Sequence, residues 1–128
     1  MNPELDLYLA TSGPYRLAFV SAQIATVAAC PHYDVQQAPA PGMLGYYEGM
    51  QVIHPGWLWG MAPAQQAPRF LLVLRSGTHA LAVDSCRRER LLVAPAPAIC
   101  AERGIFYGTA GTRDGLTPVL DLARVPLA

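Results

Sequence analysis

With 128 residues the chain has room for one domain and a real hydrophobic core. Apolar residues make up 52% of it and charged residues 14%, well below the roughly 25% charged content of an average soluble domain, which excludes a disordered chain. Nine arginines balance nine acids and there is no lysine, so no long-range field draws the protein to nucleic acid or to an anionic membrane, and weak colloidal repulsion favours a protein partner.

In chain order, Leu5 to Ala10 and Tyr15 to Val20 form an N-terminal hairpin around Thr11-Ser12-Gly13-Pro14. Ser21 to Ala29 is predicted as a short helix, with Ser21 as N-cap, Ile24, Val27 and Ala28 at helical spacing, and Cys30-Pro31 as its stop. His32 to Pro41 reads as a linker. Gly42 to Gly60 reads as strand cut by glycines, the mark of a strongly curved sheet. After the loop Met61 to Pro68, Arg69 to Cys86 is a second hairpin about Ser76-Gly77, with Leu81 and Val83 facing one way and Ala82 the other. Arg87 to Val93 reads as a strand or irregular edge whose three arginines discourage unwanted pairing. Ile99 to Ala110 and Leu116 to Leu122 are the last strand pair, joined through Gly111 to Gly115. Short strands at regular spacing with Gly/Pro turns indicate a sandwich or barrels.

No run approaches the roughly 18 to 20 apolar residues of a membrane span. The acidic start Met1-Asn-Pro-Glu-Leu-Asp lacks the positive charge of a signal peptide, so a cytoplasmic protein is expected. The search for catalytic motifs is negative. There is no Walker lysine and no nucleophile elbow, and Gly104, Gly108 and Gly111 lack the dinucleotide-binding spacing. Cys30, Cys86 and Cys100 contain no CxxC pair and read as buried thiols. His32, His54 and His79 lack metal-ligand spacing, so no metal, nucleotide or other cofactor is expected. Asp84 and Asp121, each closing an apolar strand, read as carboxylates that cap turns. Tyr46, Tyr47, Trp57 and Trp59 form an aromatic group of the kind enriched at binding hot spots, with packing between subdomains as the plainer account.

The glycine turn at Gly77, the apolar strand ending Val83-Asp84-Ser85, and the later Leu116-Thr117-Pro118-Val119-Leu120-Asp121-Leu122 together resemble the CheW-like domain of bacterial chemotaxis. Leu5 to Val20 is similar to that family's opening hairpin, and Ile24 with Val27 to its short helix. Gly45-Tyr46-Tyr47-Glu48-Gly49 followed by Val52-Ile53 is similar to its "Gly, strand, Arg-Gly, apolar strand" segment. The resemblance covers most of the chain and implies a single CheW-like domain over 1–128. Its fold would be all-β, with two small five-stranded SH3-like barrels sharing a core and one short helix. It also implies a non-catalytic adaptor coupling chemoreceptor cytoplasmic tips to the regulatory domain of a CheA-type histidine kinase, at membrane-associated receptor arrays. Glu48 reverses the family's arginine charge, and Val52-Ile53-His54-Pro55 replaces a Val-Ile-Asp-Leu-like strand end, features in keeping with a divergent adaptor such as those of twitching motility. The protein-binding residues expected on this reading are Tyr46, Tyr47, Glu48, Gly49, Val52, Ile53, Trp57 and Trp59. Two other readings stand beside it: a small β-barrel binding a peptide or small molecule through that aromatic surface, and a small enzyme using His54 or His79 with Asp84 or Asp121.

Overall fold

The computed structural model describes residues 3–29, 34–35, 43–56, 69–95, 106–113 and 115–123. They form eleven strands: β1 Glu4–Ser12, β2 Tyr15–Val20, β3 Ile24–Ala29, β4 Asp34–Val35, β5 Met43–Tyr47, β6 Met50–Ile53, β7 Phe70–Leu74, β8 His79–Val83, β9 Ser85–Pro95, β10 Phe106–Thr112 and β11 Gly115–Leu120. Strands β1-β2-β11-β10-β9 close into a barrel, and the other six form a sheet in the order β3-β7-β8-β6-β5-β4. The second unit is thus a six-stranded sheet among the described residues, where a second five-stranded barrel was expected. Pairing is antiparallel except for β11 with β2 and β6 with β8.

The chain crosses from the barrel to the sheet at Ser21–Gln23 and returns at Asp84, so the sheet unit is inserted into the barrel unit. Three apolar layers result from side-chain alternation along the strands, interrupted at bulges. Leu7, Leu9, Ala18, Val93, Ala110 and Val119 fill the barrel. Ala10, Leu17, Phe19 and Leu120, from the opposite faces of the same strands, meet Ile53, Leu72, Leu74, Leu81 and Val83 of the sheet in a middle layer. Met50, Val52, Leu71, Val73, Ala80 and Ala82 form a third layer on the far face of the sheet. Strand β8 therefore divides as its alternation predicts, with Leu81 and Val83 in one layer and Ala80 and Ala82 in another.

Two sequence expectations are corrected here. The segment Ser21 to Ala29 is a single 3-10 turn, Ser21–Gln23, followed by β3. No side chain caps the turn, and the register of β3 on β7 shifts between Ile24 and Thr26. That bulge brings Ile24 and Val27, three residues apart, onto the same middle layer. The strand from Arg87 to Val93 is no edge: β9 pairs with β1 on one side and β10 on the other, because its alternation satisfies the barrel interior with Leu91 and Val93. Gly108 allows the β9–β10 seam to close. A Cβ there would overlap the Ala94 carbonyl oxygen and lie 2.9 Å from Val93 Cγ1.

Candidate docking surface

The β5–β6 hairpin carries most of the residues singled out in the sequence. Tyr47 pairs with Met50, leaving Glu48-Gly49 as a two-residue turn. Glu48 has φ +48° and Gly49 φ +81°, the double positive φ of a type I′ turn, which suits glycine and strains a glutamate. Glu48 is exposed and makes no hydrogen bond or ion pair with the described residues. Tyr47 packs its ring against the third layer, and Tyr46 is half-buried. Val52 and Ile53 are corrected as candidate surface residues: both are buried, Val52 in the third layer and Ile53 in the middle one, because both faces of β6 are covered. Trp57 and Trp59 lie outside the described residues.

A second surface was not singled out in the sequence. Among the described residues, the middle layer covers the barrel's outer face over much of β1, β2 and the end of β11 and touches β9 and β10 only at Cys86 and Phe106, leaving the rest of the face formed by β9, β10 and the start of β11 uncovered. On it Leu92 is 62% exposed, Tyr107 41% and Leu116 81%, with Tyr15 at 36% on the neighbouring β2. These are the exposed large hydrophobic residues among those described. The register joins them: Gly111 lies opposite Leu116, and Thr109 lies between Pro118 and Ala94. Tyr107 is the extra residue of the bulge between Phe106 and Gly108. Leu92, Ala94, Tyr107, Thr109, Gly111, Leu116 and Pro118 include no charged residue. A contiguous uncharged apolar face of this kind marks an interaction site more often than chance exposure of single residues does.

The outer face of the β1–β9 pair is different. Arg88 donates from Nε (2.8 Å) and Nη2 to Asp6 Oδ2, and its guanidinium lies 5.7 Å from the Tyr8 ring centroid. Arg90 pairs with Glu4 at 2.8 Å. The hydrogen bond from Arg88 holds the Asp6 carboxyl below the usual carboxylate range. On the interior side, Arg87, opposite Leu9, pairs with Glu89 at 3.3 Å. It helps line a hollow of about 200 Å³ at the barrel mouth beside Cys86, whose thiol burial pushes up toward the protonated form.

The aspartates are held as caps. Asp84 Oδ2 accepts the Gly13 N–H at 2.6 Å, at the point where the chain returns to the barrel. Asp121 Oδ1 accepts from Ala123 N–H (3.0 Å) and Gln23 Nε2 (2.7 Å), while Gln23 Oε1 accepts the Leu122 N–H (2.8 Å). The Gln23 amide thus clasps the end of β11 to the first crossing segment. His54 is buried, its Nδ1 3.3 Å from Ser12 Oγ across the two units. A Cβ at Gly56 would approach its Nε2 to 2.5 Å. His79 Nδ1 meets Thr78 Oγ1 at 2.7 Å. Among the described residues no group of three His, Cys, Asp or Glu is arranged to hold a metal. Among the described residues no helix is long and apolar enough to cross a membrane.

No protein-family model and no curated protein sequence matches the chain. Among solved structures, the crystal structure of the scaffolding protein TtCheW from Thermoanaerobacter tengcongensis is similar to it, with a TM-score of 0.70 over 95% of this chain and 87% of that one, at 12% sequence identity. The chain has a CheW-like, all-β fold.

Proposed function

We propose that the protein is a non-catalytic adaptor, cytoplasmic at membrane-associated receptor arrays, that joins the regulatory domain of a CheA-type histidine kinase to chemoreceptor tips or their counterparts in a motility system. The observation that carries this reading is the uncharged apolar face of the barrel, Leu92, Tyr107 and Leu116 with Tyr15, on a fold similar to that of a scaffolding protein. Among the described residues, these four side chains belong to none of the three apolar layers. A partner that covers it gains the burial free energy of large side chains, about 1.5–3 kcal/mol for each one fully covered.

The Glu48-Gly49 turn is the second contact in this proposal, together with the neighbouring Tyr46 and Tyr47 and with Trp57 and Trp59 as sequence-based candidates. Its exposed carboxylate calls for a partner presenting arginine, lysine or a neutral group there, since like charges facing each other at an interface cost several kcal/mol. Capture of a CheA-type kinase regulatory domain by the purified chain tests the adaptor reading. Retention of the kinase domain is the expected result, and its absence from the captured fraction at micromolar concentrations overturns the reading. In the same assay Glu48→Arg weakens retention of the cognate partner at low salt, where the charge effect is largest. Equal retention by wild type and variant removes Glu48 from the interface.

A further inference from the structure

At the first crossing segment, away from the apolar face, a groove of about 430 Å³ opens between the two units. Its walls come from the Ala22-Gln23 crossing, the β7–β8 turn, and Leu122-Ala123 after β11. Its volume falls within the roughly 300–1,000 Å³ of small-molecule sites, which favour seams between structural units.

We propose that this groove binds a small carboxylate with an apolar body. The charge comes from Arg75. Its main-chain N–H donates to Gln23 O at 3.0 Å and its Nε to Ala22 O at 2.7 Å, so the first bond ties the Arg75 backbone to the crossing segment and the second holds the guanidinium against it. Its Nη donors remain, and a guanidinium presents donors in a fork that matches a carboxylate. Among the described residues no carboxylate forms an ion pair with Arg75. Asp121, the acid nearest in sequence to the groove's Leu122, is already engaged by Gln23 and Ala123.

Beside Arg75 runs a hydrogen-bonded chain, Ser76 Oγ to Thr78 Oγ1 at 3.0 Å and Thr78 Oγ1 to His79 Nδ1 at 2.7 Å. It supplies hydroxyl groups on the same wall as the guanidinium. The remaining lining includes the buried side chains of Leu74 and Leu122. One fixed cation, adjacent hydroxyls and an apolar floor match a monoanion with a short hydrocarbon part. A phosphate dianion would call for a second fixed cation, and the described lining has none. The ligand would touch both units at once and so reinforce the Gln23 clasp.

The test is a nitrogen-15 NMR titration of the full chain with N-acetyl-leucine, with N-acetyl-leucinamide as the uncharged control. Saturable shifts confined to residues 22–23, 74–79 and 122–123 are expected with the acid, together with at least about tenfold weaker binding of the amide and of the acid to Arg75→Gln. If Arg75→Gln fails to fold, Thr78→Val takes its place, with weakening expected again. A parallel titration with an acetylated hexapeptide ending in leucine separates two sources of the same chemistry. Equal affinity for acid and hexapeptide identifies a free small carboxylate, and tighter hexapeptide binding identifies a polypeptide C-terminus. Absence of saturable shifts, equal response to acid and amide, or shifts elsewhere in the protein overturns the proposal. The kinase-capture result is independent of each of these outcomes.

Discussion

The outer face of β9 changes character along its length. Arg88 and Arg90 stand out from it and pair with Asp6 and Glu4 of β1. Two residues further on, Leu92 stands out from the same face, and Ala94 after it. Arg90 and Leu92 are about equally exposed, 68% for the Arg90 side chain and 62% for Leu92. At the arginine, exposure keeps a charge hydrated and adds little stability, as surface ion pairs generally do. At the leucine, exposure leaves apolar area in water, uncovered by the described residues. The strand thus presents paired charge at one end and unpaired apolar area at the other, and the switch from Arg to Leu marks the border.

The strongest way to break the apolar region is at Gly108, where β10 closes on β9. Gly108→Ala forces a methyl group into the Ala94 carbonyl. A loss of about 2–4 kcal/mol is expected, seen as a lower midpoint in urea unfolding. Arg88→Ala on the charged face leaves that midpoint nearly unchanged.

Next in size is Leu116→Arg, which puts a charge in the middle of the apolar face without touching any of the three layers. Affinity for a CheA-type kinase regulatory domain falls by roughly thirtyfold or more, the scale of a hot spot, while the melting temperature stays near that of the wild type. Titration calorimetry and a thermal melt measure the two. Arg90→Leu, across the border, is the matched control and leaves the affinity near wild type.

A smaller effect belongs to the β5–β6 turn. Replacing Glu48 by asparagine gives the Asn-Gly pair that a type I′ turn prefers. Glu48→Asn raises stability by about 0.5–1 kcal/mol by relieving the positive φ, read in the same urea midpoint. A decrease would show that Glu48 holds a contact within the chain.

The smallest effect concerns pH and the charged face alone. The Asp6 carboxyl titrates below its ordinary value because of Arg88. A folded-state pKa below the unfolded one contributes stability above the unfolded value, and that contribution is lost as pH falls through the folded one. Asp6→Asn therefore makes the acid decline of the melting temperature slightly shallower below about pH 4, with no change at neutral-to-alkaline pH in that slope.

Some of this molecule was readable in its residues for clear physical reasons. The hairpin about Gly77 and the division of Leu81 and Val83 from Ala82 follow from alternation, which needs no knowledge of topology. The capping roles of Asp84 and Asp121 follow from short carboxylates at strand ends, though what they cap, the two crossings between units, depends on the fold. The helix predicted at Ser21 to Ala29 failed because a bulge at Ile24 to Thr26 adds one residue to a strand and imitates helical spacing. Val52 and Ile53 were placed on the surface because an apolar pair on a glycine-flanked strand does not reveal that both of its faces are covered. Leu116 was missed for the opposite reason. In Leu-Thr-Pro-Val-Leu every apolar residue looks like core, and only the barrel's closure shows that Leu116 is left outside while Val119 is inside and Leu120 meets the sheet.

The central claim is that the apolar end of the β9–β11 face docks a kinase regulatory domain. The most direct measurement is hydrogen–deuterium exchange on the full chain with and without that domain. Added protection is expected over β10 and the adjoining ends of β9 and β11, covering Leu92, Ala94, Tyr107 and Leu116, and persisting at high salt because the contact is apolar. Protection that falls instead on the arginine-bearing start of β9 and on β1, or that disappears as salt is raised, would contradict it.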